Sequence, residues 1–404
     1  MQMQSDSSFA GEGRLGVERD SASSPPATLQ YVLIMPVWGD HHTELFLRYC
    51  IPFLLSEGNV GSFPDRQLQV HVTSRRADFA RMRQHPNYAR LRDLTTMREL
   101  EIDNLVDISA PHRAMTECYL HVLRNLSCAE QAVTIFPTPD CILSRNTLVH
   151  IKGRMEDGYR AVMLCGLRLE LESMQPLLDE IISGAGVDAL SERALTGLAL
   201  KHLHPISQRC DVSSNEFWVG WPSHLYWVSP DRDWLLAHCF HLHPIAVRGV
   251  PARIDVESTI DGNYLMSLGM KPAEYYICDS SDELLCFELS PGSKRINTRT
   301  GRLKPWHLAR FLAMGSNPLH HRFFEHPILF RGNKAPFFTR EMTQQIEGFL
   351  ATVQRGPPVL YRWLGALFST IRGRPALRRA ARVVLRASRS IAHHTRRLLA
   401  TQPS

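Results

Sequence analysis

The sequence predicts an α/β fold, with strands and helices alternating around one sheet, followed by a basic amphipathic helical tail. Three observations predict it. Short apolar runs that end in Pro or Gly-Asp alternate with segments whose apolar residues recur at helical spacing. The runs are apolar at almost every position, as strands covered on both faces should be. Acidic residues stop at Glu347, and beyond it the chain is dominated by arginine.

The first run, Leu29 to Trp38, is a buried strand broken by Gly39 and Asp40. Leu45, Phe46, Tyr49, Phe53 and Leu54 then give Glu44 to Leu55 a helical apolar face. Leu68 to Thr73 reads as a second strand, leading into a helix over Asp78 to Arg83. Glu99 to Val106 reads as a third strand, Ala114 to Leu126 as a helix, and Ala132 to Phe136 as a strand closed by Pro137-Thr-Pro-Asp140. Asn146 to Met155 is expected to be helical, with Ser144 and Asn146 as caps, and Arg160 to Cys165 extended. Glu170 to Leu203 has a helical pattern interrupted at Gly184 and Gly186, and Ser214 to Gly262 reads as short strands and loops. Right-handed crossovers would bring the strand C-termini to one edge, where open α/β sheets bind ligands. Chemistry is therefore expected at Pro36 to Asp40, Thr73 to Asp78 and Pro137 to Asp140.

Hydrophobic residues make up 44% and charged residues 21%, enough for a sizeable core. The net charge is +6, yet eleven arginines lie between Arg355 and Arg397, so residues 1–347 carry about −5. Nine cysteines occur singly, without zinc-ligand spacing, which fits a reducing, cytoplasmic setting better than a secreted disulfide scaffold. Residues 1–28 are rich in Ser, Gly, Asp and Glu and read as a disordered leader. No run is long and apolar enough for a spanning helix.

The strongest local signal is Val133-Thr-Ile-Phe-Pro-Thr-Pro-Asp140, a carboxylate directly after a buried strand. Such a group can hold a hard divalent cation, or can simply close a turn. His241 and His243 in Phe240-His-Leu-His-Pro244 are expected to share one face of an extended segment, making His243 a candidate second ligand. Arg253-Ile-Asp-Val-Glu-Ser-Thr-Ile-Asp-Gly-Asn-Tyr264 gathers Asp255, Glu257 and Asp261. Aromatic residues crowd Phe217 to Trp227, where a core explains half of them and a sugar-stacking platform could use the rest.

The opening strand ending in Pro36-Val-Trp, the second ending in Thr73 and the acidic strand end at Asp140 together resemble the GT-A glycosyltransferases. These open on an apolar strand ending in Pro and carry a DxD motif or a reduced form of it. The resemblance spans Leu29 to Leu289 and implies a GT-A-like, Rossmann-like mixed sheet flanked by helices. It also implies transfer of a sugar from a nucleotide-diphosphate donor to a hydroxyl of a glycan, lipid or polysaccharide precursor. Pro36, Val37, Trp38, Thr73, Asp78 and Arg168 would contact the donor. Asp140 and His243 would hold a divalent metal, Mn or Mg. Glu257 and Asp261, the latter within a Thr-Ile-Asp-Gly-Asn-Tyr-Leu stretch like one in sugar transferases, would serve as general base, Asp261 first. The chain departs from the pattern at Thr138-Pro-Asp140, which retains one carboxylate of the motif and so leaves metal dependence in doubt.

The boundaries expected are a leader over 1–28, a nucleotide-sugar domain over 29–290, a helical or irregular extension over 291–356 and the Arg-rich tail over 357–404. In the tail, Trp363, Leu364, Leu367, Phe368 and Ile371 form one helical face, and Leu377, Val384, Ile391 and Leu398 recur every seven residues. An apolar stripe flanked by arginines suits an anionic membrane surface at the cytoplasmic face. No specific nucleic acid is expected, because the body lacks a basic, aromatic-interleaved face. Two other classes stay open: a GT-A-like scaffold that has lost catalysis, and a nucleic-acid-associated protein acting through its tail.

Overall fold

The computed structural model describes residues 29–64, 67–126, 131–249, 265, 268–294 and 299–356. The leader and the tail lie outside this set, as do Glu257 and Asp261. In chain order the strands are β1 (Gln30–Pro36), β2 (Leu68–Ser74), β3 (Thr96–Glu101), β4 (Ala132–Ile135), β5 (Cys141–Leu143), β6 (Ala161–Leu164), β7 (Leu167–Glu170), β8 (His224–Val228), β9 (Trp234–Cys239), β10 (His243–Arg248), β11 (Tyr275–Ile277), β12 (Cys286–Ser290) and β13 (Ile328–Arg331).

The predicted mixed sheet flanked by helices is present, with seven strands in the order β11-β6-β10-β4-β1-β2-β3. β1 is parallel to both β2 and β4, and β2 to β3, while β10 runs antiparallel between β4 and β6. The continuous apolarity of β1 has the cause inferred for it. Val32 and Ile34 belong to one core and Tyr31, Leu33 and Met35 to another, one on each face of the sheet. Each such side chain contributes about 1.5–3 kcal/mol on burial. That is why a central strand carries no polar position between Tyr31 and Met35.

The helix after β1 has an irregularity that the sequence reading missed. Asp40–Leu45 and Ile51–Leu54 are α-helical, and Phe46–Cys50 between them is a π turn. Pro52 cannot donate a backbone N–H, and the widened turn lets the helix continue into it. The third strand lies earlier than expected, because pairing with β2 ends at Ser74 opposite Glu101 and the chain turns at Ile102 to Leu105. The capping expectation at 144–146 is met by Asn146 in position alone. Asn146 precedes the helix Thr147–Glu156 in a left-handed conformation (φ 63°) without a side-chain cap bond, and the Ser144 hydroxyl pairs with that of Thr147.

Two small sheets complete the structure. β5-β12-β7 sits beyond the strand ends of the large sheet, with β12 antiparallel to β5 and parallel to β7. β13-β9-β8 is antiparallel and shares a third core with the helices Pro305–Met314, Pro318–Glu325 and Arg340–Arg355. The extension thus contributes a strand and a core layer. Phe217 and Trp227 of the aromatic run lie in that core, whereas Trp221 is 39% exposed. No helix among the described residues is long and apolar enough to cross a membrane.

Candidate functional site

The parallel strands deliver Pro36, Ser74 and Ile135 to one edge of the large sheet. Since β10 is antiparallel, its first residue, His243, arrives at the same edge, opposite Leu164 at the end of β6. A cavity of about 300 Å³ opens there, lined by Pro36, Trp38, Thr138, Asp140, Arg168 and Glu288, with His42, Lys294 and the first turn of the helix Pro111–Arg124 around its rim. A larger cavity of about 560 Å³ lies on the third sheet, where its one acid-base pair, Asp231 with Lys334, is already closed at 2.5 Å. The smaller cavity is the better candidate because it occupies the strand-end crevice and gathers both carboxylates and cations.

Asp140 owes its position to the segment that surrounds it. The Phe136 amide bonds Ile245 of β10, and the Tyr119 ring packs edge-on against Phe136 while its hydroxyl donates to the Pro137 carbonyl at 3.4 Å. The amide of Cys141 closes a turn onto Thr138 at 3.0 Å, and the Thr138 hydroxyl donates to Asp140 Oδ1 at 2.5 Å. Pro137 and Pro139 stiffen this path.

The β5-β12-β7 sheet then assembles the charges. Glu288 stands opposite both Cys141 on β5 and Arg168 on β7, and the amide of Leu289 bonds the Asp140 carbonyl at 2.9 Å. Arg168 donates to Glu288 at 2.6 Å and to Ser290 at 3.2 Å, and Lys294 approaches Glu288 from the other side at 3.5 Å. Burial and, second, the negative charge of Glu288 push the Asp140 carboxyl up to about 6, more than Thr138 and Lys294 offset. Asp140 is therefore a carboxylate short of positive charge, beside a second carboxylate whose charge is already shared by two cations.

This has a pH consequence with a definite sign. A carboxyl raised in the folded state binds its proton more tightly there than in the unfolded chain. Stability is thus lost as pH rises from about 4 to about 6, and the deficit persists above. A cation bound at Asp140 would need the ionised form, so affinity for added Mn2+ would be level above about pH 6 and fall by about tenfold per pH unit below it. Metal titrations across this range should show that limb in the wild type and lose it in Asp140→Asn.

Of the residues singled out from the sequence, Pro36, Trp38, Asp140 and Arg168 meet in one cavity. Val37 and Thr73 are fully buried behind it, with the Thr73 hydroxyl beside the Cys118 thiol. Asp78 neither caps its own helix nor lines the cavity. It accepts from the Gly39 amide at 3.0 Å and from Arg75 at 2.7 Å, tying the end of β2 to the turn after β1. Burial alone would raise its carboxyl, but Arg75 and the Gly39 amide outweigh burial and hold it low. The two histidines do not share a face, because residues 241–242 are not in a strand and β10 begins at His243. His243 Nε2 bonds the Phe136 carbonyl at 2.9 Å, while His241 packs among Trp221, Phe311 and His320.

Glu288 and Lys294 were missed. The available signal was Cys286-Phe-Glu-Leu-Ser290, where one acid interrupts an otherwise buried strand.

No family model matches the chain, and no curated protein matches it. Among solved structures it is similar to S. aureus TarS, at 10% identity over 35% of this chain with a TM-score of 0.25. The match covers 22% of that chain. It is also similar to the mannosyltransferase PcManGT from Pyrobaculum calidifontis, solved in complex with GDP-Man and Mn2+, at 12% identity over 90% of this chain and 86% of that one, with a TM-score of 0.34. Likenesses this distant leave the functional argument to the residues of the cavity.

Proposed function

We propose that this protein is a glycosyltransferase that binds a nucleotide-diphosphate sugar in the strand-end cavity. The observation that carries the reading is the charge set of Asp140, Glu288, Arg168 and Lys294 around one crevice at the C-terminal ends of parallel strands. With Asp140 ionised, the four side chains sum to zero. A dianionic diphosphate entering that crevice therefore needs about two further positive charges. The donor set suits a hard divalent cation, Mn or Mg, since burial leaves Asp140 short of positive charge and Glu288 is the second carboxylate next to it. Glu288 would thus take the part of the acid missing from Thr138-Pro-Asp140. Held by these two residues, the cation would offset charge on the departing nucleotide diphosphate.

The remaining roles follow from chemistry and position. Arg168 and Lys294 can turn from Glu288 to phosphate oxygens, and Arg168 suits a bidentate contact. The first turn of the helix Pro111–Arg124 has no side-chain cap, and its positive dipole end favours an anion. Trp38 is half-buried in the cavity wall and offers an apolar face to the base or ribose. Val37, Thr73 and Asp78 act from behind, by fixing the turn that carries Trp38. His243 would steady the Phe136 carbonyl and hence the approach to Asp140. The general base is proposed from sequence alone as Asp261, then Glu257. The acceptor is a glycan, lipid or polysaccharide-precursor hydroxyl, reached from a cytoplasmic membrane surface to which the Arg-rich tail binds.

The test is release of nucleoside diphosphate from a panel of UDP- and GDP-sugars with added Mn2+. Turnover of one nucleotide family, dependent on the metal, is the expected result. A folded protein that neither turns over nor binds any of the panel would remove the transferase reading and leave a scaffold.

A further inference from the structure

Away from the strand-end cavity, two thiols and an imidazole converge at the junction of the large sheet with the third sheet. Cys165 follows the last residue of β6. His224 and Cys239 are cross-strand partners, at the first position of β8 and the last of β9. One ligand atom from each of the three lies within 4.8 Å of the other two. The sulfurs of Cys165 and Cys239 are 3.6 Å apart. Two thiolates on a tetrahedral zinc ion, at ~2.3 Å each, stand about 3.8 Å apart, so the pair is already spaced as two corners of that polyhedron. A disulfide needs ~2.05 Å, and both thiols are free.

The surroundings suit a soft ion. Both cysteines are buried, and a third buried thiol nearby, Cys210, bonds the Ile206 carbonyl at 3.8 Å. His224 Nδ1 bonds the Ser223 hydroxyl at 2.9 Å, and the ring also bonds the His241 backbone. Metal binding would displace one of these bonds and keep the other to orient the ring. The sequence offered no hint of this, since ligands at 165, 224 and 239 have no zinc-finger spacing.

We propose that Cys165, His224 and Cys239 hold a structural zinc ion that joins β6 to the β8–β9 hairpin. The ion braces the turn from β6 into β7, three residues before Arg168, and is separate from any cation at Asp140. The proposal does not depend on the transferase reading.

The experiment uses the full-length protein expressed with zinc and passed over a chelating resin. Metal content is measured, and a cobalt-exchanged sample is examined for thiolate-to-cobalt charge transfer. The expected result is about one zinc per chain, the charge-transfer band, and loss of both in Cys239→Ser, with the melting temperature falling on zinc removal. His224→Gln, a milder change, should retain the fold and lower the zinc content if Cys239→Ser fails to fold. Folded wild-type protein without bound metal or cobalt charge transfer would overturn the proposal. So would a Cys165–Cys239 disulfide in the native protein, or zinc retained at full occupancy in both variants.

Discussion

Replacing Asp140 by Asn should lower kcat/KM for sugar transfer by roughly 100-fold to 1,000-fold while leaving the protein folded. The substitution keeps the shape that the Thr138 hydroxyl bonds, but it removes a carboxylate whose burial Thr138 and Lys294 only partly offset. Charge on the leaving diphosphate would then be met by Arg168, Lys294 and the helix end at Pro111, and both cations also serve Glu288. Stability should move the other way. Ionising Asp140 costs the folded state free energy above about pH 6, so the Asn variant should melt at or above the wild-type temperature there. Activity loss together with retained or raised stability separates a role in the chemistry from a role in the fold. An Asn variant that unfolds would assign Asp140 to the turn instead.

Glu288→Gln should have the second largest effect, and its pH dependence is distinctive. Loss of the Glu288 charge removes the second cause of the raised Asp140 carboxyl, so the acid limb of Mn2+ binding should shift below about pH 6. It also removes one of the two proposed metal ligands and frees Arg168 and Lys294 from their ion pairs. Metal-supported transfer should fall roughly 10-fold to 100-fold at neutral pH. Donor binding without metal should weaken less, because two cations are released toward the phosphates. A variant with normal metal-dependent rates and an unchanged acid limb would exclude Glu288 from the site.

The sequence reading and the structure agree where local physics decides the outcome. β1 is legible because an unbroken apolar run has few alternatives to a strand covered on both faces, and Asp140 because two prolines set it off from β4. Legibility fails where pairing between distant segments decides. Glu288 lies 148 positions beyond Asp140 and becomes its neighbour only through the register of β12 on β5. Asp78 looks like a local helix residue until the Gly39 amide, 39 positions away, is placed against it. The histidines at 241 and 243 obey period-two geometry only inside one strand, and the strand begins at the second of them.

The most direct test of the account is calorimetric titration of the full-length protein with UDP, GDP and their sugar conjugates, with and without Mn2+, beside Asp140→Asn. The account predicts that one nucleotide family binds, that Mn2+ strengthens binding at pH 7, and that the Asn variant loses the metal-dependent part. Binding of equal strength with and without metal, unaffected by Asp140→Asn, would contradict it.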